Sequence, residues 1–404
     1  MKNRNLLAWA IAGLVLLILL EAASVYFIMP MPGSQLDDAA NLSRVSLAYW
    51  LHNNIGWLRV VGLLAVAYPA FLTLTQPHRA WYRFLIIGLF VAYGGIFYSV
   101  NQEMMADRMF EQPRSKRLVS LAQNKIPLNK LVVGVVENGE ARAYPLQLIG
   151  YHHQVRDTIG GRPVMVTYCT VCRTGRVFDP ITNGQNNVFR LVGMDHFNAM
   201  FEDEATGSWW RQATGEAILG PRKGQILNEL DSRQMTLAEW TVEHPNTLVM
   251  QPDPAFRTET DSLATYDLGV KRGKLTGRDS ASWHQKSWVV GVLGGKPGVA
   301  KAFDWNRLVS ERVINNVVGN QSIVLTIAPD KLSFGVWNRT VNGQTLTFVT
   351  TADNQLTDRE TGSVWNRQCL AISGSLAGQR LTPVRAYQEF WHSWQSFHPA
   401  TSRN

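Results

Sequence analysis

Three long apolar segments fill the first hundred residues, and they constrain the fold more than any other feature of the sequence. The first runs from Leu6 to Met29, the second lies near 58–74, and the third lies near 81–100. A bilayer core needs about 20 apolar residues of helix. The sequence therefore predicts a membrane domain with three transmembrane helices over residues 1–105. We favour an uncleaved anchor over a signal peptide, because the first segment exceeds the roughly 7–15 apolar residues of a signal core.

Two details of these segments have alternative interpretations. Glu21 interrupts the first apolar segment. We expect its carboxylate to reach the membrane interface, and the alternative is a buried polar contact with another helix. Residues 41–57 carry apolar side chains at helical spacing. This stretch either lies flat at the interface or forms the start of the second span.

The distribution of basic residues predicts the orientation in the membrane. Lys2 and Arg4 precede the first span, and Arg79 and Arg83 flank the short loop at 76–79. The positive-inside rule places both regions in the cytoplasm. Three crossings then put everything after about residue 100 in the periplasm of a bacterial inner membrane, which is an oxidising compartment.

The remaining chain contains an internal repeat. Val-Val-Gly-Val at 132–135 recurs at 289–292, Thr-Gly-Ser-x-Trp at 206–210 recurs at 361–365, and Trp-x-x-x-His-Pro at 240–245 recurs at 394–399. The order of the matches is the same and their offset is nearly constant, at 154 to 159 residues. The repeat is domain-sized, so it predicts two lobes, at 118–255 and 275–404, joined by a polar connection.

Within each lobe the pattern is that of short strands and polar turns. Asn-Gly pairs at 138–139, 183–184 and 342–343 predict β-hairpins, because both residues tolerate positive φ. Residues 236–243 predict a helix, with a counterpart at 387–396. The predicted class is a β-rich α+β fold: a duplicated two-lobe periplasmic domain preceded by three transmembrane α-helices.

Cys169 and Cys172 are the leading candidates for chemistry. Two thiols three positions apart form a small disulfide ring or bind one metal ion through both sulfurs. The β-prone residues that follow predict a tight turn between strands rather than a redox helix. Arg173 and Arg176 are expected to favour the thiolate by their charge. We expect the pair to face an accessible hollow.

A metal site needs further ligands beyond the two sulfurs. The candidates are His152, His153, His196, His284 and Cys369. The metal would be a transition metal such as zinc, copper or iron. The alternatives are a redox or structural disulfide without any cofactor, and inert thiols.

The second lobe has Ala328 and Lys331 at the positions that match the two cysteines. It is therefore predicted to be a degenerate copy without this chemistry. Cys369 is predicted to be a small buried apolar residue. Trp210 recurs as Trp365 and is predicted to fill the core, while Trp209 either does the same or stacks on a planar ligand.

The segments 159–179, 206–227 and 237–249 together resemble the bacterial domain-of-unknown-function family numbered 3179, over roughly residues 118–404. The family's Trp-His-Glu step reads Tyr151-His152-His153 here. Its Cys-Pro-Leu-Cys-Gly turn reads Cys169-Thr170-Val171-Cys172-Arg173. The resemblance implies an exported or membrane-attached location and no established activity. It favours His152 as the companion of the cysteines.

Two functional hypotheses follow. The first is a thiol-redox or metal/metallocofactor-binding module with Cys169, Cys172 and His152 at its site. The second is a non-enzymatic ligand-binding or scaffold module that uses the cleft between the lobes. The net charge of +8 favours electrostatic attraction to a lipid surface. The sequence has no dense Lys/Arg block of the kind that binds nucleic acid, so nucleic acid is not expected as a partner. The sequence identifies neither a protein partner nor a small ligand.

Overall fold

The computed structural model describes residues 2–29, 38–76, 79–296, 298–351 and 355–404. Its N-terminal part consists of α1 (Lys2–Tyr26), α2 (Asp38–Thr75) and α3 (Ala80–Gln102). All three helices are long and apolar enough to cross a membrane, as the sequence predicts. Pro77 and His78 of the short loop lie outside the described residues, and the orientation stays a prediction.

Small residues bring the long helices close together. A Cβ atom added to Gly13 would lie 2.3 Å from Val66 Cγ2, and one added to Gly62 would lie 2.6 Å from Leu17 Cδ2. Membrane helices use small residues in this way because it allows close backbone approach. The outward faces keep large apolar side chains exposed, with Phe84 at 73%. Such a surface is compatible with a lipid environment.

Glu21 does not reach out to the interface, so that expectation is wrong. Its side chain is fully buried and forms an ion pair with Arg59 of α2 at 2.6 Å. Asn101 of α3 receives a hydrogen bond from the same guanidinium at 2.9 Å. The alternative interpretation holds, because a carboxylate in an apolar bundle is stable only when it is paired.

Residues 41–57 belong to α2 itself. At 1.5 Å per residue, the 38 residues of this helix span about 57 Å, against about 30 Å of bilayer core. The N-terminal turns of the helix pack on the strand-rich part of the chain. Val45 and Ala48 share a buried cluster with Trp209, and the Tyr49 ring lies 5.1 Å from that indole.

The first half of the remaining chain follows a short helix, α4 (Ala106–Met109). Its strands are β1 (Arg117–Val119), β2 (Leu131–Glu137), β3 (Glu140–Pro145), β4 (Gln154–Ile159), β5 (Arg162–Cys169), β6 (Thr174–Phe178), β7 (Ile181–Thr182), β8 (Gln185–Asn186), β9 (Phe189–Asp195), β10 (Asn198–Asp203), β11 (Trp209–Arg211), β12 (Ala217–Leu219), β13 (Ser232–Thr236) and β14 (Leu248–Gln251). Its helices are α5 (Leu146–His152), α6 (Leu237–Glu243) and α7 (Arg257–Asp261). The sheets have the strand orders β1-β14-β3-β2-β13, β4-β5-β6, β7-β8 and β12-β11-β10-β9.

The second half contains β15 (Trp288–Leu293), β16 (Ala300–Asp304), β17 (Val313–Val318), β18 (Gln321–Ile327), β19 (Phe334–Asn338), β20 (Thr340–Val341), β21 (Gln344–Thr345), β22 (Phe348–Thr350), β23 (Leu356–Asp358), β24 (Val364–Trp365), β25 (Ala371–Ser373), β26 (Thr382–Pro383), β27 (Ala386–Phe390) and β28 (Ser402–Arg403). Its helices are α8 (Trp305–Glu311) and α9 (Trp391–Phe397). The sheets have the orders β27-β15-β16-β28, β17-β18-β19-β26, β20-β21 and β22-β23-β24-β25.

The α+β prediction is confirmed, and so are the three Asn-Gly hairpins. Each of these asparagines has a positive φ, between 48° and 51°, which fits the turn type that Asn-Gly favours. The helix predicted at 236–243 is α6. The counterpart predicted at 387–396 is wrong in its first part, because residues 386–390 pair with β15 as strand β27. Helix α9 begins only at Trp391.

Candidate functional site

The two cysteines stand in the tight turn that joins β5 to β6, as the sequence predicts. Cys169 is the last residue of β5 and pairs with Thr174 at the start of β6. Arg173 closes the turn with a φ of 57°. Both cysteines are free thiols in the structure. The turn therefore holds the two sulfurs together at the end of a buried strand.

The expectation that the pair faces an accessible hollow is wrong. Cys169 is 2% exposed and Cys172 is 0% exposed. They belong to an apolar cluster that also contains Met165 and Phe197, and the Cys169 thiol donates to the Phe197 carbonyl at 3.4 Å. Reagents reach these sulfurs only if the turn opens.

The surroundings push the pKa values of the two thiols apart. Burial alone would raise the pKa of Cys169, but hydrogen bonds from the Cys172 thiol and from the backbone amides of Val171, Cys172 and Ala199 lower it. The pKa of Cys172 is raised well above its ordinary value by burial and by the neighbouring Cys169. Amide donors stabilise a thiolate, so Cys169 is the sulfur that ionises first.

Lys286 and His392, both from the second half, complete this environment. The Lys286 ammonium donates to the Val171 carbonyl at 2.5 Å, and His392 Nε2 lies 3.1 Å from the same oxygen. Lys286 Nζ and His392 Nε2 are also 3.1 Å apart. Burial lowers the pKa of Lys286 to about 8. Burial and the adjacent ammonium lower the pKa of His392 to about 3.

These contacts couple the two basic groups to each other. One ring nitrogen cannot both donate to the carbonyl and accept from the ammonium. The protonation of Lys286 therefore selects the tautomer of His392. The Lys286 charge also lowers the pKa of Cys172 against the effect of burial.

Arg173 and Arg176 do not act on the thiols in the way that the sequence suggests. The Arg173 guanidinium lies 3.8 Å from the ring centre of Trp288 and donates to Gln388. Arg176 forms a buried ion pair with Glu389 at 2.5 Å. Both arginines therefore fasten the first half to the second.

The other predicted ligands lie in separate environments. His152 Nδ1 is 2.6 Å from the Glu111 carbonyl, and burial lowers the pKa of His153 to about 4. His196 pairs with Asp195 and His284 with Asp279. Cys369 is buried in the core of the second half, where burial raises its pKa. Within the residues that the structure describes, no group of three or more His, Cys, Asp or Glu could hold a metal ion.

Trp209 and Trp210 are both core residues. They are 0% and 1% exposed, and their indole N–H groups donate to Glu202 and Asp203 at 2.7 Å. This confirms the prediction for Trp210. It removes the ligand-stacking interpretation of Trp209, since a fully buried ring has no free face.

Sequence reasoning missed Lys286 and His392, although a signal was available. With the repeat offset of 154, His392 corresponds to Ala238. A polar residue that aligns with an apolar one in the predicted repeat is the signal that would have drawn attention to position 392.

The geometry defines a class of protein: an α+β domain with a buried dithiol turn where its two halves meet, preceded by three membrane-length helices. A family model described as "Protein of unknown function (DUF3179)" matches residues 111–401. The chain belongs to this family, as the resemblance implied. No curated protein and no solved structure matches the chain.

Proposed function

We propose that this protein is an inner-membrane thiol-redox protein whose Cys169–Cys172 pair alternates between dithiol and disulfide in the periplasm. The observation that carries the proposal is the contact between the two thiols in a turn whose amides stabilise a thiolate on Cys169. The three apolar helices support membrane attachment. The distribution of Lys and Arg supports a periplasmic domain, where a disulfide persists.

The chemistry is a two-electron exchange with a disulfide-bearing partner. The Cys169 thiolate attacks one sulfur of the partner disulfide and releases the other as a thiolate. Cys172 then loses its proton and its sulfur attacks Cys169, which forms the Cys169–Cys172 bond and releases the second partner thiolate. The pair loses two electrons and two protons, and the partner gains them. Lys286 favours the second step because its charge stabilises the Cys172 thiolate.

Access to the buried thiols depends on contacts between the halves. The Phe390 amide donates to the Cys172 carbonyl at 2.9 Å, and Lys286 holds the Val171 carbonyl. We expect local release of these hydrogen bonds to precede exchange, since local openings cost less than global unfolding. The contacts from the second half therefore control access to the cysteines of the first half.

The test is a thiol count on the full chain in detergent, equilibrated with mixtures of reduced and oxidised glutathione. After denaturation and alkylation, the oxidised sample should carry two fewer alkyl groups than the reduced sample, and without alkylation its intact mass should be lower by two hydrogen atoms. Cys369→Ser is the matched control and should behave like the wild type, while Cys172→Ser should not oxidise in this way. Two thiols that survive every mixture would refute the proposal. Zinc, copper or iron bound one-to-one after gentle purification would favour the metal interpretation in its place.

A second candidate function is ligand binding between the halves. A cavity of about 510 Å³ is lined by Arg233 and Glu239 from the first half and by Arg312 and Arg367 from the second, among others. Clefts of this size are ordinary sites for small ligands. This candidate predicts that a variant with both Cys169→Ser and Cys172→Ser keeps its function, whereas the redox proposal predicts complete loss.

We also propose that lobes 118–255 and 275–404 are two copies of one unit. The order β14-β3-β2-β13 corresponds to β28-β16-β15-β27. An added Cβ on Gly134 would meet Trp240, and one on Gly291 would meet Trp394, within 2.4 Å and 2.2 Å. The two indoles donate to Thr247 and Thr401 at 2.9 Å and 2.8 Å. Equivalent contacts in the same order support common ancestry of the lobes.

A further inference from the structure

A second, open cavity lies in the segment that connects the halves, and its charge is strongly one-sided. Its volume is about 540 Å³. Five cationic side chains and one carboxylate line it, together with backbone of the glycine-rich segment 269–280. The charged residues are Lys271, Arg272, Lys274, Arg278, Lys286 and Asp279. The carboxylate does not neutralise the cations, because Asp279 bonds to the His284 ring at 2.8 Å and to the Ala281 amide at 2.9 Å.

Within the described part of the chain, the cations of this cavity form no salt bridge. By contrast, the buried Arg176 pairs with Glu389 at 2.5 Å and the half-buried Arg190 pairs with Glu202 at 2.6 Å. The salt bridges include none from Lys271, Arg272, Lys274 or Arg278. Clustered like charges repel, and an anion bound among them relieves that repulsion.

Arg278 gives an independent indication of a missing partner. Its guanidinium is 4.1 Å from the Trp288 ring centre, and Arg173 lies on the same indole at 3.8 Å. Its Nη2 donates to the Asn306 side-chain oxygen at 2.8 Å, but its Nε is buried and has no hydrogen-bond partner among the described residues. Burial and the charge of Arg173 lower the pKa of Arg278. A buried, unsatisfied donor on a crowded cation marks a place where an acceptor with negative charge would bind.

We infer that this cavity is a binding site for a phosphate-bearing anion, with Arg272, Lys274 and Arg278 as its principal contacts. Guanidinium groups match phosphate oxygens in bidentate geometry. Gly273 has a φ of 135° and nothing within 4 Å of an added Cβ, so a phosphate can approach the backbone there. Lys286 lines the same cavity and also holds the Val171 carbonyl. The bound anion therefore sits beside the cysteine turn, but the site does not depend on the redox state of the thiols.

The test is isothermal titration calorimetry, which measures the affinity of the full chain in neutral detergent for inorganic pyrophosphate. A double variant with Arg272→Gln and Lys274→Gln should bind at least about tenfold more weakly, because each lost contact is a charge-assisted hydrogen bond. Both side chains are exposed, so the fold should not change. The matched control combines Lys125→Gln and Lys223→Gln, which remove the same charge from exposed positions elsewhere, and should bind like the wild type.

The same variants in micelles doped with phosphatidylglycerol, against phosphatidylcholine, distinguish the source of the phosphate. Pyrophosphate binding that the cavity variant loses supports a soluble phosphate ligand. Association with phosphatidylglycerol alone, again lost in the cavity variant, supports a lipid headgroup. Absence of both, or equal losses in the control variant, would overturn the inference.

Discussion

The β5–β6 turn of the first half and the β18–β19 turn of the second occupy matching places and differ in chemistry. In the first, two thiols face each other and the second half supplies Lys286 and His392. In the second, Asp330 accepts hydrogen bonds from the Leu332 and Ser333 amides at 2.9 Å and 2.8 Å. The same carboxylate reaches Thr236 of the first half at 2.9 Å.

Each turn therefore touches the other half, but only the first contains thiols. A carboxylate that accepts several hydrogen bonds has no further bond to make. A pair of thiols beside a lysine of lowered pKa can still lose or exchange protons. In the proposed function, the corresponding turns serve reactivity in the first half and stability in the second. Changing either turn, or the contacts between the halves, tests this contrast.

The largest effect is expected from the Arg176–Glu389 ion pair, which links strand β6 to the second half. Glu389→Ala leaves the buried Arg176 guanidinium with only its longer contact to Glu229, at 3.7 Å, so the free energy of unfolding should fall by up to about 3–5 kcal/mol. Urea denaturation of the full chain in detergent measures this. Arg307→Gln, at an exposed pair with Glu311, is the control and should cost no more than about 0.5 kcal/mol. Equal losses would show that the junction is no stronger than a surface contact.

Acid should destabilise the protein through His392. Its pKa is about 3 in the fold against an ordinary value of 6.5. The unfolded chain therefore binds more protons between these values, and stability falls as the pH drops below 6.5. This contribution reaches about 1.4 kcal/mol per pH unit.

The variant His392→Gln should flatten the fall in stability between pH 6.5 and 4.5, whatever its stability at neutral pH. His284→Gln, at an exposed position, should keep the wild-type slope. Denaturation midpoints at several pH values measure both. A His392→Gln slope equal to that of the wild type would contradict the assignment.

Asp330→Ala tests whether the second turn is purely structural. It removes the acceptor of four hydrogen bonds, so we expect a loss of about 1–3 kcal/mol. Oxidation of the Cys169–Cys172 pair should be unchanged, as the thiol count measures. Cys172→Ser should give the opposite result, with loss of oxidation. A change of thiol chemistry in the Asp330→Ala variant would mean that the two turns act together.

The smallest effect concerns the charge of Lys286. Replacing it with Met should raise the pKa of Cys172, because the ammonium lowers it. In a Cys169→Ser, Cys369→Ser background, which leaves Cys172 as the only thiol, the pH profile of iodoacetamide reaction should therefore move upward, by about one pH unit or less. Lys286→Arg keeps the charge and should move the profile less. An unchanged profile would show that burial, and not the Lys286 charge, governs the pKa of this thiol.

The sequence predicted the elements whose signals are local. The membrane-length helices follow from apolar run length, the hairpins from Asn-Gly, and the cysteine turn from the β-prone residues on both sides. These features depend on neighbours in the chain, which is why pattern alone identifies them.

The parts that failed depend on contacts between distant residues. Nothing local shows that the Trp288 indole lies between Arg173 and Arg278, or that the turn is covered by β27. Residues 387–390 fall within the predicted helix at 387–396, yet pairing with β15 makes them part of a strand. Tertiary contacts override such weak local preferences.

The unbroken course of α2 has a mechanical consequence for a membrane-attached protein. A flexible tether would let the domain sample many distances and angles above the lipid. A stiff helix that runs out of the apolar bundle and packs directly on the β9–β12 sheet through Tyr49 removes that freedom. In the proposed membrane attachment, the cysteine turn is thus held at one height and one orientation above the lipid, and only redox partners that present their reactive group at that height can meet it.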